Sequence, residues 1–263
     1  MKPLDDAFAN IPYIRGGDAF PPRWAAEAEA FRQSLGDRAE LNCSYGSSAR
    51  QVFDFFNAAN EAKGTVIFVH GGYWKAFDHT FWSHLAGGAL AISWNVALPG
   101  YDLCPDVRIS DITQQIASAV TAIAERTAGP IALTGHSAGG HLVSRVTDPA
   151  VLPKAVLERV VRIAPVSPVT DLVPLLETTM NDILQLDQAE AAAESPVRMA
   201  SPAGVAVQIW VGAAERPVFV EQAGALANNW RVPCHVVPDK HHFDIIDALE
   251  HQDSDLVKFL TRQ

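Results

Sequence analysis

Five short runs of this chain, Thr65 to Val69, Val96 to Leu98, Ile131 to Leu133, Val160 to Ile163 and Val205 to Val211, are apolar on both faces. Strands of this kind need a cover on each side, which is how parallel sheets are buried between helices. The intervening segments have helical period: Phe81 to Leu90, Ile109 to Arg126, the stretch after Ser137, and Val218 to Trp230. Strand alternating with helix implies right-handed crossovers and a mostly parallel sheet, so the expected fold class is α/β. A further strand is read over Cys234 to Val237, and Leu41 to Tyr45 with Gln51 to Phe55 reads as an antiparallel hairpin turned by Gly46, Ser47 and Ser48. Trp24, Ala28, Phe31 and Leu35 recur at helical spacing after a Pro-Pro start, predicting an N-terminal helix on the outside of the domain, within an extension covering residues 1–40. The rhythm breaks at Pro168 to Pro202, where an Ala/Glu-rich piece predicts either a small cap, lid or pocket wall over residues 168–202 or an ordinary crossover helix. At 263 residues the whole chain, 1–263, suits one α/β domain.

Charge narrows the partners. Lys and Arg total 20 against 30 Asp and Glu, and a net charge of -10 repels phosphate backbones and anionic lipid surfaces. No nucleic acid is expected. No apolar run approaches the ~18 residues of a membrane span, so no membrane is expected either. The 3 cysteines, Cys43, Cys104 and Cys234, are odd in number and form no CxxC pair, which argues against a disulfide framework or a zinc site and for a reducing compartment. The first residues, MKPLDDAFANIPYIRGG, lack the apolar segment of a secretory signal, and the expected location is cytoplasmic. The expected partner is a small molecule, with a homodimer the one protein assembly left open.

Thr134-Gly135-His136-Ser137-Ala138-Gly139-Gly140 follows the apolar strand ending at Leu133 and precedes helix-forming residues. This is GxSxG in a strand-turn-helix setting, where the serine sits on a strained elbow and small residues two positions either side let strand and helix approach. A serine hydroxyl needs a base, and the base a carboxylate to orient it and stabilise its cation. Functional groups in such sheets gather beyond the carboxyl ends of strands, and two later strands end in Gly212-Ala213-Ala214-Glu215 and in Pro238-Asp239-Lys240-His241-His242-Phe243. Chain order is then Ser, acid, His. Spacing alone does not choose between His241 and His242. For the acid, Asp239, Asp244 and Asp247 lie too close to the histidines in sequence, which favours Glu215. His79, His84, His235 and His251 have no motif around them and are read as surface or satisfied structural residues. The second signal is His70-Gly71-Gly72-Tyr73-Trp74 after TVIFV, whose glycines can expose backbone N–H groups to an oxyanion. The expected oxyanion hole comprises N–H groups of Gly71, Gly72 and Tyr73 together with Ala138.

These two motifs together resemble the kynurenine formamidase (arylformamidase) branch of the α/β-hydrolase superfamily, related to hormone-sensitive-lipase-like esterases. HGGYW stands for the branch's HGGxW, and matching stretches are Tyr101-Asp102-Leu103-Cys104-Pro105, GHSAGGH, Ser167-Pro168-Val169-Thr170-Asp171-Leu172 with Pro174-Leu175, and His242-Phe243-Asp244-Ile245-Ile246. The likeness spans the chain from about residue 40 onward. It implies an α/β-hydrolase fold with a mostly parallel eight-stranded sheet, helices on both faces and a short lid-like insertion. It implies His242 as the base, because the branch's histidine precedes Phe, and Glu215 as the acid, in a segment where the branch carries Asp.

The expected chemistry is acyl transfer to water through an acyl-enzyme, with Ser137 as nucleophile, His242 as base, Glu215 orienting it, and no cofactor or metal. Tyr73, Trp74, Phe77, Trp82, His141, Met180 and Asn181 are candidates for an aromatic-accepting pocket. An arylformamidase-like hydrolase of a small ester or N-formyl aryl amide leads. The alternatives are a general short-chain carboxylesterase and a non-catalytic small-molecule-binding protein on the same scaffold.

Overall fold

The computed structural model of the chain describes residues 2–262. Its strands are β1 (Ala39–Ser44), β2 (Val52–Phe56), β3 (Thr65–Val69), β4 (Asn95–Pro99), β5 (Ile131–His136), β6 (Val160–Val166), β7 (Ala206–Val207), β8 (Ile209–Gly212) and β9 (Cys234–Val237). They form one sheet in the order β1-β2-β4-β3-β5-β6-β8-β9, with β7 paired to β6. Only β2 runs against its neighbours; the pairs β3–β4, β3–β5, β5–β6, β6–β8 and β8–β9 are parallel. The sheet therefore has eight positions but nine strands, because the expected strand Val205 to Val211 is interrupted. β7 pairs with Arg162 and Ile163 and β8 with Val166 of the same strand, while Gln208 N–H between them still donates to the Ile163 carbonyl at 3.1 Å.

Side-chain alternation along the strands produces two cores. Ile67, Val69, Ile131, Leu133, Ile209 and Val211 face one side, against helices Ile109–Arg126, Ala138–Arg145 and Pro217–Trp230. Val66, Phe68, Val96, Leu98, Ala132 and Trp210 face the other, against helices Phe20–Leu35 and Asp255–Thr261. The C-terminal helix, which sequence periodicity did not single out, is capped by Ser254 Oγ accepting Val257 N–H at 3.1 Å, and it buries Leu256, Val257 and Leu260. Phe81 to Leu90 is not one α-helix: His79–Ala86 is 3-10 with a break at Trp82 (φ -129°), and only Gly87–Ala91 is α-helical. Trp82 is buried there beside Trp24 of the N-terminal helix, ring centroids 5.5 Å apart, so burial of two indoles outweighs regular helix geometry.

Residues 168–202 fold as short turns and the helices Asn181–Leu184 and Gln188–Ala193. Leu172, Leu175, Leu184, Leu186 and Ala191 are sunk into the first core. Glu194 pairs with Arg145 at 3.1 Å and accepts Thr113 Oγ1 at 2.7 Å.

Three backbones meet closely where β5 turns into the next helix. A Cβ on Gly139 would lie 1.9 Å from the Val69 carbonyl oxygen, and one on Gly135 2.4 Å from the Gly139 carbonyl oxygen. Both clashes are with backbone, which cannot swing aside. Gly139→Ala should therefore lower unfolding stability by about 3 kcal/mol or leave no soluble protein. A urea midpoint like that of the native chain would contradict this packing.

Candidate active site

β5 delivers Ser137 at its carboxyl end with φ 56° and ψ -115°, outside the ordinary regions for an L-residue. The conformation is held by Ser137 N–H donating to the Val166 carbonyl at 2.9 Å and by His141 N–H donating to the Ser137 carbonyl at 3.0 Å, which starts the helix. Ser137 lines a cavity of about 370 Å³ together with His242, His136, Gly72 and Tyr73.

His242 follows β9 and is 3% exposed. Its Nδ1–H donates to Glu215 Oε2 at 2.6 Å. The other oxygen, Oε1, accepts Ser167 Oγ at 2.5 Å and Gly212 N–H at 2.7 Å, so the carboxyl group is buried with both oxygens hydrogen-bonded. Glu215 is one methylene longer than Asp, and the turn absorbs that length by curling the side chain back over Gly212. A Cβ on Gly212 would lie 2.1 Å from the Lys240 carbonyl oxygen and 3.2 Å from Glu215 Cγ. Phe219 packs on the imidazole at 4.3 Å between centroids, and His136 Nε2 donates to the His242 carbonyl at 2.8 Å. No hydrogen bond joins Ser137 Oγ to His242 among the described residues, and both residues face the cavity. Such bonds are commonly open in unliganded sites and close with substrate.

His241 is turned elsewhere: its Nδ1 accepts the N–H groups of Phe243 and Asp244 at 3.1 and 3.2 Å. Of the competing carboxylates, Asp244 accepts His241 N–H at 2.7 Å and Asp247 lies 3.4 Å from Arg23. Among the described residues neither these two nor Asp239 hydrogen-bonds His242. The motif-free histidines are also placed apart from Ser137. His79 is buried 3.3 Å from Asp54, His84 lies 3.7 Å from Glu27, His235 stacks on Trp210 at 4.3 Å, and His251 is exposed.

The loop after β3 is shaped by His70. Its Nδ1–H donates to the Gly71 carbonyl at 2.7 Å, and its ring is stacked against Tyr101 at 4.2 Å. Because a peptide is planar and trans, turning the Gly71 carbonyl toward His70 turns the Gly72 N–H the opposite way. Gly72 has φ 108°, a Cβ there would lie 2.3 Å from the Ala76 carbonyl oxygen, and it lines the cavity. Gly71 lies beneath it, where a Cβ would be 3.2 Å from that of Ser137. Ala138 opens the helix, where an N–H has no intrahelical acceptor. Tyr73 has φ 51° and its hydroxyl donates to the Phe8 carbonyl at 2.6 Å.

Of the expected pocket residues, Tyr73, Phe77, Trp82 and Met180 line the cavity. Trp74, His141 and Asn181 do not. Trp74 is fully buried edge-on against His141 at 5.0 Å. His141 points into the core and donates from Nε2 to the Glu194 carbonyl at 2.7 Å. Asn181 spends its carboxamide on Leu186, accepting its N–H at 2.9 Å and donating to its carbonyl at 3.1 Å. Sequence reasoning missed the N-terminal segment, where Asp5, Phe8, Ala9, Asn10, Ile11 and Pro12 form one wall of the cavity. It is tied down by Tyr73, by Thr179 N–H donating to Asp5 at 2.6 Å and by Arg216 on Asp6 at 2.7 Å. Its apolar residues follow neither helix nor strand period, so no local pattern marks them. Trp24 and Phe243 complete the aromatic lining. Among the described residues no group of three or more His, Cys, Asp or Glu is arranged to hold a metal.

Residues 66–242 match a family described as the alpha/beta hydrolase fold. Among curated proteins the chain is 25% identical over 239 residues to the kynurenine formamidase of Salmo salar, covering 84% of this chain and 81% of that one. It is 27% identical over 238 residues to the kynurenine formamidase of Drosophila melanogaster, covering 82% and 78%. Among solved structures it is similar to a protein from Silicibacter sp. TM1040 described as a "putative thioesterase", with 53% identity, TM-score 0.98 and coverage of 99% and 100%. Esterase B of Lactobacillus rhamnosis shares the fold at 22% identity, TM-score 0.66 and coverage of 91% and 89%.

Burial holds several histidines neutral. It pushes His70 down to about 3, His84 and His141 to about 4, and His136 well below the ordinary 6.5. Above pH 6.5 folded and unfolded chains are both neutral at these positions and nothing is lost. Below it the unfolded chain binds protons that the folded chain does not, so stability falls as pH drops from 6.5 toward 4, at up to about 1.4 kcal/mol per pH unit per histidine. Tm should decline across that window, and a flat Tm from pH 6.5 to 5 would show that these rings already take up protons in the folded state.

Proposed function

The chain belongs to the α/β-hydrolase fold family, and from that premise we propose that it is a serine hydrolase of small N-formyl aryl amides and aryl esters, working through an acyl-enzyme. The observation that carries the reading is the 2.6 Å hydrogen bond from His242 Nδ1 to buried Glu215, on the cavity wall that also bears Ser137 at its strained elbow. With Nδ1–H donated to the carboxylate, the neutral imidazole keeps its lone pair on Nε2, the state a general base requires.

Ser137 Oγ attacks the substrate carbonyl and its proton passes to His242 Nε2, while Glu215 stabilises the imidazolium. Negative charge moves onto the carbonyl oxygen, which the Gly72 and Ala138 N–H groups receive; a donor in such a hole is typically worth about 3 to 4 kcal/mol. Collapse of the tetrahedral species expels the amine or alcohol, which takes its proton from His242. Water then attacks the acyl group on Ser137 with His242 again accepting a proton, releasing formate or another small acid. The formamide reading is supported by the two kynurenine formamidases and by an aromatic lining from Phe8, Trp24, Phe77, Trp82 and Phe243.

A second reading, cleavage of short acyl thioesters, is favoured by the 53% identical relative described as a "putative thioesterase". It uses the same residues and differs only in leaving group. We place the protein in the cytoplasm: its cysteines, Cys43, Cys104 and Cys234, are all free, and no helix among the described residues is long and apolar enough to cross a membrane.

Kinetics on one preparation with N-formylkynurenine, p-nitrophenyl acetate and a short acyl thioester separate the readings. The formamide should have the highest kcat/KM, and a clear preference for either other substrate would displace it. Ser137→Ala should lower kcat/KM about 10⁴-fold or more and Glu215→Ala about 10³-fold, both in folded protein. Because His241 hydrogen-bonds only within its own turn, His241→Ala should cost less than about tenfold, and His242→Ala should match Ser137→Ala. The reverse ranking of the two histidines would reassign the base.

A further inference from the structure

Among the described residues Lys75 is the one lysine or arginine that lines the cavity, and its ammonium has no carboxylate within ion-pairing distance and no hydrogen-bond partner. The one acid on the wall, Asp5, is already engaged, accepting Thr179 N–H at 2.6 Å, Thr179 Oγ1 at 3.0 Å and Lys2 N–H at 2.7 Å. Lys75 also stands on a rigid base. Its N–H donates to the Gly72 carbonyl at 3.1 Å, the fully buried Trp74 before it gives its carbonyl to Cys104 N–H at 2.8 Å, and Arg50 holds the Phe77 carbonyl just after it. One short turn thus carries both the Gly72 N–H and an uncompensated cation, beside the aromatic rings of Phe77 and Trp82.

A cation without a counter-ion at an apolar wall attracts an anion more strongly than one in open water. The rest of the chain does the opposite, since a net charge of -10 repels anions, so an anionic substrate would need a local positive group here. We propose that Lys75 is the specificity-determining residue of this cavity, its ammonium binding a carboxylate on the leaving-group side of the substrate. The assignment rests on the hydrolase function proposed above. The leaving-group side follows because a formyl group has no further substituent to carry a charge.

The test compares 4-acetoxybenzoate with phenyl acetate, a pair differing only in the carboxylate. The native protein should favour the acid at least about tenfold in kcat/KM at low salt, with the preference shrinking as ionic strength rises. Lys75→Met should bring the ratio near one, Lys75→Glu below one, and Lys75→Arg should retain the preference. Each ratio is taken within one preparation, so a general loss of folded or active protein cancels. A native ratio of one or less, or a ratio unchanged in Lys75→Met, overturns the assignment. If neither ester is turned over, the hydrolase reading fails by itself. The same comparison is then made as Kd of 4-formamidobenzoate against formanilide by calorimetry: equal values overturn the role of Lys75, and a preference lost in Lys75→Met supports it.

Discussion

The close approach of β3, β5 and the helix after Ser137 is the constraint from which the rest of the site follows. Two glycines bring backbone to within a distance that a single methyl group would close, and Ser137 is left at φ 56° as the pivot between strand and helix. A strained non-glycine residue costs on the order of 1 to 3 kcal/mol and persists only where its surroundings over-determine it. Here they do. Ser137 is bonded through its N–H to β6 and through its carbonyl to the helix it begins, with two hydrophobic cores closing on the sheet from either side. The same geometry turns the first helical N–H groups outward, so the elbow exposes the hydroxyl and supplies an anion-stabilising donor in one step.

Burial divides the histidines into two kinds of work. His70, His136 and His141 are buried, held neutral, and each directs one ring nitrogen at a backbone carbonyl: Gly71, His242 and Glu194 respectively. They act as rigid polar struts, and low pKa values are the consequence of dry surroundings. His242 differs in its partner. A buried carboxylate on Nδ1 gives it somewhere to place positive charge, which none of the struts has. His136 connects the two groups, because the residue preceding the nucleophile in the chain holds the backbone of the candidate base.

Much of this was legible because it is local. Apolar runs covered on both faces marked the central strands, and GxSxG after such a run marked the elbow. Three positions were misread for a shared reason. Trp74 and Asn181 adjoin residues that do face the cavity and His141 lies one helical turn after Ser137, but which way each side chain points depends on tertiary partners, here Glu194 for His141 and Cys104 for the Trp74 backbone. The split between β7 and β8 was hidden because pairing to β6, not hydropathy, sets it. Least visible was the N-terminal segment. Phe8 and Asp5 are held at the cavity by Tyr73 and Thr179, partners 65 and 174 residues away in sequence, and nothing in the spacing of the first residues announces them.

That segment changes what kind of pocket this is. The sheet ends alone would leave Ser137 in an open trough suited to many acyl chains. Instead Asp6 is clamped by Arg216, the residue directly after Glu215, and Phe8 by Tyr73, the residue directly after Gly72. The wall that defines the substrate's space is therefore anchored beside both the candidate acid and the candidate oxyanion donor. A displacement of the wall would be felt at those two points first, through one covalent bond each. Binding energy gained from a well-fitting aryl group against Phe8 can thereby favour the geometry that the chemical step requires, which is how remote contacts raise turnover as well as affinity.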